Sequence, residues 1–291
     1  MKKLSLVIPC YNEEKTLEQI VERCISLISE KLLLELVIVN DCSKDGSDTV
    51  ARNLVKKYPD VVKYFSHEKN MGKGAALRTG FINATGDFVG VQDADMEYNP
   101  SDYLTMLEPL LEGKADVVYG SRYLLPDTRR VLYWWHTRMN KSLTMFSNMF
   151  TNLDITDMET CYKLFRREVI QEIAGHLKEN RFGFEPEVTA LVSRGGYRVY
   201  ECAIHYSASA APVPMQLIIY FFIGAFSAVC NLVAFFTMRS CGLELTPALL
   251  GAFAISSLVN YLLCIAVLFR HKSRWSSFGE IFAYLIILVI M

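Results

Sequence analysis

Two long stretches of this 291-residue chain, 216–238 and 246–269, contain no Asp, Glu, Lys or Arg. Each is long enough to cross the hydrocarbon core of a bilayer, which takes about 20 apolar residues. A soluble protein can bury one such helix, but two in tandem favour membrane spans. A third apolar run starts near Phe278 and the chain stops inside it at Met291, so an incomplete third span is expected. A basic excess is missing too. Of 30 basic and 31 acidic residues, four basic and two acidic lie beyond residue 215, so residues 1–215 carry a net charge of −3. Nucleic acid is therefore excluded as a partner, because binding a phosphate backbone needs a basic footprint. The eight cysteines form no Cys-x-x-Cys pair and no Cys/His cluster with zinc spacing, which leaves packed, reduced thiols. No secretory signal is expected either, since the apolar run Leu4–Ile8 is short and broken by Pro9.

What is present is a strand–helix alternation. Leu4–Ile8, Leu36–Asn40, Val61–Phe65, Phe88–Gln92 and Val117–Tyr119 read as strands. Glu13–Glu30, Ser47–Lys57, Gly74–Ala84 and Ser101–Leu111 read as helices between them. A turn and strand over Thr156–Phe165, helices near Arg167–Ile173 and Glu185–Arg194, and a strand at Tyr197–Ile204 follow. The pattern predicts an α/β domain over 1–210 with a mostly parallel, Rossmann-like sheet, and a membrane domain over 211–291. Ligands of such sheets bind beyond the carboxyl ends of the strands. Polar loops follow four of the strands here: Pro9 to Glu13, Asn40 to Gly46, Asp93 to Glu97, and Gly120 to Arg122. Asn12 and Asp45 could each simply cap a helix, and Asp41 could make an Asx-turn. Four such loops on one sheet edge point instead to a shared site.

The sharpest local signal is Asp93-Ala94-Asp95, with Glu97 two residues on. Carboxylates on alternate residues, with no basic residue nearby in sequence, repel unless a cation sits between them. Hard oxygen ligands suit Mg²⁺ or Mn²⁺, completed by substrate phosphates. Asn70-Met71-Gly72-Lys73-Gly74 lacks the spacing of a nucleotide-triphosphate loop, so an ATPase or kinase is excluded. Its glycines allow a tight loop that brings Lys73 near a donor. Over 131–153, Leu132, Trp135, Met139, Leu143, Phe146, Phe150 and Leu153 form one apolar helical stripe. That stripe fits a core helix, but Trp134-Trp135 and the preceding Arg129-Arg130 favour a helix lying in the membrane interface.

Taken together, Pro9-Cys10-Tyr11-Asn12-Glu13, Asn40-Asp41-Cys42-Ser43, Asn70 to Gly74, Gln92 to Glu97 and Gly120-Ser121-Arg122 resemble glycosyltransferase family 2. Thr156 to Lys163 and Phe182 to Glu187 are similar to its polyprenyl-phosphate branch, which includes dolichol-phosphate mannose synthases and bactoprenol glucosyltransferases. The resemblance implies a GT-A fold and transfer of a sugar from a nucleotide-sugar donor (GDP-mannose or UDP-glucose type) to a polyprenyl or dolichyl phosphate. It implies that Pro9, Tyr11, Glu13, Asp41, Lys73, Asp93, Ala94, Asp95 and Arg122 bind the donor, and that Asp93, Asp95 and Glu97 hold Mg²⁺ or Mn²⁺. Inversion by direct displacement, with Asp93, Asp95 and Asp157 in catalytic roles, would follow.

The tail resembles small GtrA-like membrane proteins through Phe222-Ile223-Gly224, Asn231 and Asn260-Tyr261. Family members usually carry a basic stretch after the last strand that reaches the acceptor phosphate, whereas His205 to Pro212 contains no Lys or Arg. Arg122, Arg129, Arg130 and Arg138 are the candidates left for that phosphate. A polysaccharide synthase would normally add Gln-x-x-Arg-Trp, which is absent, and a non-catalytic or lipid-translocation protein is the other alternative. Arg270, Lys272 and Arg274 after the second span place that end, and with it the domain, in the cytosol. The expected protein is thus multi-pass and bilayer-bound, and a homo-oligomer is compatible with the sequence.

Overall fold

The computed structural model describes residues 1–30, 32–124, 128, 130–181, 183–207 and 215–263, which fall in two compact units, 1–209 and 210–291. Unit 1 runs β1 (Lys2–Cys10), α1 (Leu17–Ile25), β2 (Leu32–Asn40), α2 (Ser47–Lys57), β3 (Val62–Ser66), α3 (Lys73–Asn83) and β4 (Phe88–Val91). It continues α4 (Asp102–Leu111), β5 (Val117–Ser121), α5 (Trp134–Thr151), β6 (Lys163–Arg166), α6 (Arg167–Ala174), α7 (Phe184–Arg194) and β7 (Val199–Ala203). Every strand and helix expected from the sequence is found in this unit. The Thr156–Phe165 stretch yields a short strand only at its end, so residues 157–162 are loop.

The described strands form one seven-stranded sheet in the order β3-β2-β1-β4-β6-β5-β7. All pairings are parallel except those of β6, which runs antiparallel between β4 and β5. Leu6 to Ile8 and Leu36 to Val39 are fully buried, because helices cover both faces of a parallel sheet. In α1, Leu17, Ile20, Val21 and Cys24 make the buried stripe, and Val169, Ile170, Ile173 and Ala174 do the same in α6. Pro9 is tolerated in a central strand because the β1–β4 register ends earlier, at Val7↔Val91.

The chain builds outward from β1 to β2 and β3, then crosses back to place β4 on the other side of β1. The strand order therefore reverses between β1 and β4, and a crevice opens beyond their carboxyl ends. Helix α3 is delivered to that crevice by close packing. A Cβ at Gly80 would stand 2.1 Å from Val7 Cγ1, so only glycine lets α3 lie this near β1. Ala75, Ala76 and Leu77 are buried beside it.

Helix α5 turns its polar flank inward. Thr144 is buried and accepts a hydrogen bond from Met158 N (3.1 Å), while Asn148 donates to Ile155 O (2.8 Å). Met139, Leu143, Phe146 and Phe150 of the expected stripe are exposed, Phe150 to 87%. A core-packed helix would bury them, so that alternative is set aside.

Unit 2 contains α8 (Met215–Ser240) and α9 (Leu245–Leu263), an antiparallel pair in which Asn231 Nδ2 donates to Ser256 Oγ (3.1 Å). Ile223–Ser240 and Leu245–Leu263 are long and apolar enough to cross a membrane. Ala248, Ala252 and Ser256 are buried against the partner helix, whereas Phe236, Leu249, Leu250 and Leu262 face outward. The end of the expected second span (264–269) and the third run from 278 lie outside the described residues.

One buried charge braces the end of the sheet opposite the crevice. Glu35 accepts from Lys63 Nζ (2.7 Å), Lys3 Nζ (3.1 Å), Thr85 N and Thr85 Oγ1 (both 2.7 Å), and from Ser5. Burial alone would raise its pKa, but these donors outweigh it and hold the carboxyl at about 2. A depressed folded pKa contributes stability above the unfolded value and loses it as pH falls through the folded one. Glu35→Gln should therefore destabilise the protein at pH 7 by on the order of 3 kcal/mol. The gap in melting temperature to the wild type should narrow steadily below about pH 4.5.

Candidate active site

The loops after β1 and β2 are stapled to one another. Asn12, at φ 59°, accepts from Lys44 N (2.8 Å), and Glu13 N donates to Ser47 Oγ (2.8 Å). Asp45 accepts from Ser47 N (3.0 Å) and Glu14 N (3.2 Å). Asn12 and Asp45 are therefore spent on loop structure. Cys42 and Met96 join Asn12 with positive φ, which puts three strained non-glycine residues in loops at the crevice.

Asp41, buried at the end of β2, shapes the opposite wall. Its carboxylate accepts from Met71 N (2.8 Å) and Gly72 N (2.7 Å), and His67 Nδ1 lies 2.8 Å away. His67 Nε2 reaches Thr79 Oγ1 of α3 at 2.9 Å. Gly72 holds φ 98°, and a Cβ there would meet Asn180 O at 2.3 Å. These constraints fix Lys73 at the first turn of α3. Asp41 faces the crevice, but most of its bonding capacity serves this loop.

Between these walls is a cleft of about 450 Å³ lined by Pro9, Tyr11, Glu13, Asp41, Lys73, Asp93, Ala94 and Asp95. Cys10, Asn70, Gly72, Ala76 and Arg181 complete it. Eight of the nine residues expected to hold a donor thus line one cavity, and Arg122 does not. Burial pushes the Cys10 thiol up to about 11, so it is a neutral wall group and no nucleophile.

The carboxylate cluster differs from expectation in two ways. Lys73 Nζ, 20 residues upstream in sequence, lies 3.0 Å from the Asp93 carboxylate and 3.6 Å from Glu185 Oε1. Burial works against that ammonium, but Asp93 and Glu185 outweigh it and raise its pKa well above the usual value. The repulsion inferred from the sequence is thus partly relieved by protein. Glu97, expected as a third metal ligand, instead accepts from Tyr206 Oη (2.6 Å). Its carbonyl accepts from Ser207 N (2.7 Å), so the segment after β7 pins it. Among the described residues no three His, Cys, Asp or Glu side chains gather at metal-binding distance. Asp93 and Asp95 remain as a two-carboxylate pair. Asp95 is open to solvent at the cleft mouth, yet desolvation, then Asp93 and Glu97, push its carboxyl up to about 6.

A second correction concerns Arg122 and Asp157, expected to act separately on phosphate and in catalysis. They are each other's partners. Arg122 Nε and Nη2 donate to the two Asp157 oxygens (2.7 and 2.8 Å), and Arg122 N adds a third bond (3.0 Å). Both are buried, and the Arg122 guanidinium stacks 5.3 Å from the Tyr206 ring. Both oxygens of that carboxylate are thus occupied by the guanidinium. Of the other acceptor candidates, Arg129 lies outside the described residues, Arg130 is exposed, and Arg138 stacks over Trp134 at 5.1 Å. His136 on α5 was not anticipated. Burial first, then the nearby Arg122, lowers its pKa, which leaves a neutral imidazole beside the Arg122–Asp157 pair.

The profile of Glycosyl transferase family 2 matches residues 5–174, more than half of the chain. The chain belongs to glycosyltransferase family 2. Two dolichyl-phosphate beta-glucosyltransferases of Trichomonas vaginalis are 29% and 28% identical to it over 218 residues. The match takes in 70% of this chain and 65% of each relative, so the chain spans just under two thirds of their length. Among solved structures, glucosyl-3-phosphoglycerate synthase of Mycobacterium tuberculosis with Mn²⁺, UDP and phosphoglyceric acid superposes at a TM-score of 0.57. It shares 18% identity, over 84% of this chain and 80% of that one. The Mg²⁺ and UDP complex gives a TM-score of 0.56 over 78% of both chains, again at 18% identity. At that identity the likeness bears on the fold alone, which is GT-A.

The raised Asp95 carboxyl has a consequence for the metal-free protein. A folded pKa of about 6, against an ordinary 3.8, favours the protonated form in the fold, so stability falls as pH rises from about 4 to 6. Asp95→Asn should melt at the wild-type temperature at pH 4 and above it at pH 7.5. Solvent screening at the cleft mouth holds the gain to about 1 kcal/mol.

Proposed function

We propose that the chain transfers glucose from a UDP-glucose-type donor to a dolichyl or other polyprenyl phosphate at a membrane surface, with a divalent cation. The observation that carries this reading is the cleft at the β1–β4 switch point, lined by the paired carboxylates Asp93 and Asp95. The names of the Trichomonas relatives support the sugar and acceptor, and the UDP complexes of the mycobacterial structures support the nucleotide.

The residues present suit a hard cation. Asp93 and Asp95 offer oxygen ligands on alternate residues, and desolvation first, then the neighbouring Asp93 and Glu97, disfavour the bare Asp95 carboxylate that a cation would stabilise. Two carboxylates completed by diphosphate oxygens and water is the usual Mg²⁺ arrangement. When bound, the ion would neutralise charge growing on the departing diphosphate. Pro9, Tyr11, Glu13 and Asp41 would flank the nucleoside, and Lys73 would face the diphosphate from the start of α3.

No histidine lines the cleft, Cys10 is protonated, Asp157 is committed to Arg122, and Asp93 and Asp95 would be occupied by the cation. The described site thus offers little general-base capacity, which favours an acceptor that needs none. A phosphate monoester, with a second pKa of about 6, is already an oxyanion at neutral pH. Its oxygen would bond to the anomeric carbon as the bond to the donor β-phosphate breaks, and the electron pair would leave with the nucleoside diphosphate. That is one displacement with inversion, driven by positioning and leaving-group stabilisation.

Surface character supports the lipid acceptor. Each unit separately turns apolar side chains outward, α5 in unit 1 and the α8–α9 pair in unit 2. Such a helix in unit 1 suits the headgroup layer, and the pair suits the hydrocarbon. Arg130 and Arg138 would then meet the lipid phosphate at the same surface, on the cytosolic side given the basic residues 270–274.

The test is turnover by the full chain in vesicles containing polyprenyl phosphate. UDP-glucose with Mn²⁺ should yield a glucosylated lipid. EDTA, or Asp95→Asn, should lower the rate by at least about 100-fold, the scale of losing one electrostatic contact to the leaving group. Turnover undiminished by EDTA, or a polymeric product, would contradict the reading.

A further inference from the structure

The ion pairs of Lys73 point to a role for Glu185, which no sequence reading assigned. Glu185 lies in the first turn of α7 and is 7% exposed. Among the described residues, Lys73 is the one cation within ion-pair distance of its carboxylate. Lys163, which is also buried, donates its hydrogen bonds to Met158 O (2.9 Å) and Thr160 O, and feels Glu185 only through space. The position of Glu185 is fixed independently of the lysine. Its carbonyl accepts from Thr189 Oγ1 (2.8 Å), and the neighbouring Phe184 ring packs 6.0 Å from Phe81 of α3. Lys73 is therefore suspended between two carboxylates from different parts of the fold, Asp93 in the loop after β4 and Glu185 on α7.

We propose that Glu185 is a positioning residue that gives Lys73 a second seat, so that the ammonium can yield Asp93 to a divalent cation without leaving the cleft. This rests on the metal-dependent reading above. Lys73 and a metal ion compete for Asp93, since both are cations drawn to the same oxygens. Without Glu185, a displaced Lys73 would have to carry its charge uncompensated in a partly buried site, which is costly. With Glu185, the exchange becomes a short swing of Nζ from one carboxylate toward the other. The same competition keeps metal affinity modest in the empty cleft and raises it when a diphosphate arrives to share both cations.

Mn²⁺ binding to the full chain, without nucleotide, tests this in a double-mutant cycle. Lys73→Met removes the competitor and should tighten Mn²⁺ about fivefold. Glu185→Gln confines Lys73 to Asp93 and should weaken Mn²⁺ about fivefold. In the Lys73→Met background, Glu185→Gln should change nothing. An equal weakening by Glu185→Gln in both backgrounds would show simple through-space attraction and overturn the proposal, as would no weakening when Lys73 is present. Should Glu185→Gln fail to fold, Glu185→Asp, which withdraws the charge, must show the same dependence on Lys73. A wild-type protein that binds no Mn²⁺, with or without UDP, would defeat the metal reading itself, a pattern distinct from a failed cycle.

Discussion

Negative charge gathered at the reversal point of the sheet is the constraint around which this domain is arranged. Asp93 and Asp95 follow β4 on alternate residues, Asp93 and Glu97 raise the cost of ionising Asp95, and Glu185 shares Lys73 with Asp93. The fold meets that cost with one lysine. Delivering it takes a helix packed on β1 through Gly80, a left-handed Gly72, and a buried Asp41 that captures the backbone of the preceding loop. Under the proposed function the same concentration of charge would receive a divalent cation and, through it, a diphosphate, so that stability and chemistry would pull in opposite directions at Asp95.

A second layer of the design is removal of competing chemistry. Asp157 is fully buried and bound to Arg122, and Cys10 is held neutral. Glu97 is drawn to Tyr206 in the segment that follows β7, while both the backbone N and Nδ1 of His205 bond Asp102 at 2.7 Å. The strand end that carries a basic stretch in similar proteins is here pinned by hydrogen bonds to α4 and to the Asp93 loop. The proposed acceptor phosphate would then draw its cations from Arg130 and Arg138, before and on α5, whose apolar face points to the surface.

Much of this was legible in the sequence because it is local. Short apolar, β-rich runs marked the central strands, and the stretches between them marked the helices. The polar loops after β1, β2 and β4 lay where a parallel sheet collects its ligands. What could not be read was pairing over distance. Nothing in the spacing of Lys73 and Asp93 shows them 3.0 Å apart, and the 35 residues between Arg122 and Asp157 hide a bidentate ion pair. The link between Glu97 and Tyr206 was hidden for the same reason, since the two lie 109 residues apart. His136 and Arg181 carried no signal beyond their charge type. For α5 the periodicity put Met139, Leu143, Phe146 and Phe150 on one face, which the fold leaves exposed, while Leu153 of the same stripe packs against the core.

The central claim is that the β1–β4 cleft binds a nucleoside diphosphate through a divalent cation held on Asp93 and Asp95. Calorimetric titration of UDP into the full chain, with and without Mn²⁺, addresses it directly. The account requires saturable one-to-one binding with Mn²⁺, weakened at least about tenfold without it, the scale of one charge-assisted contact. Equal affinity in the presence and absence of Mn²⁺, or no binding under either condition, would contradict it.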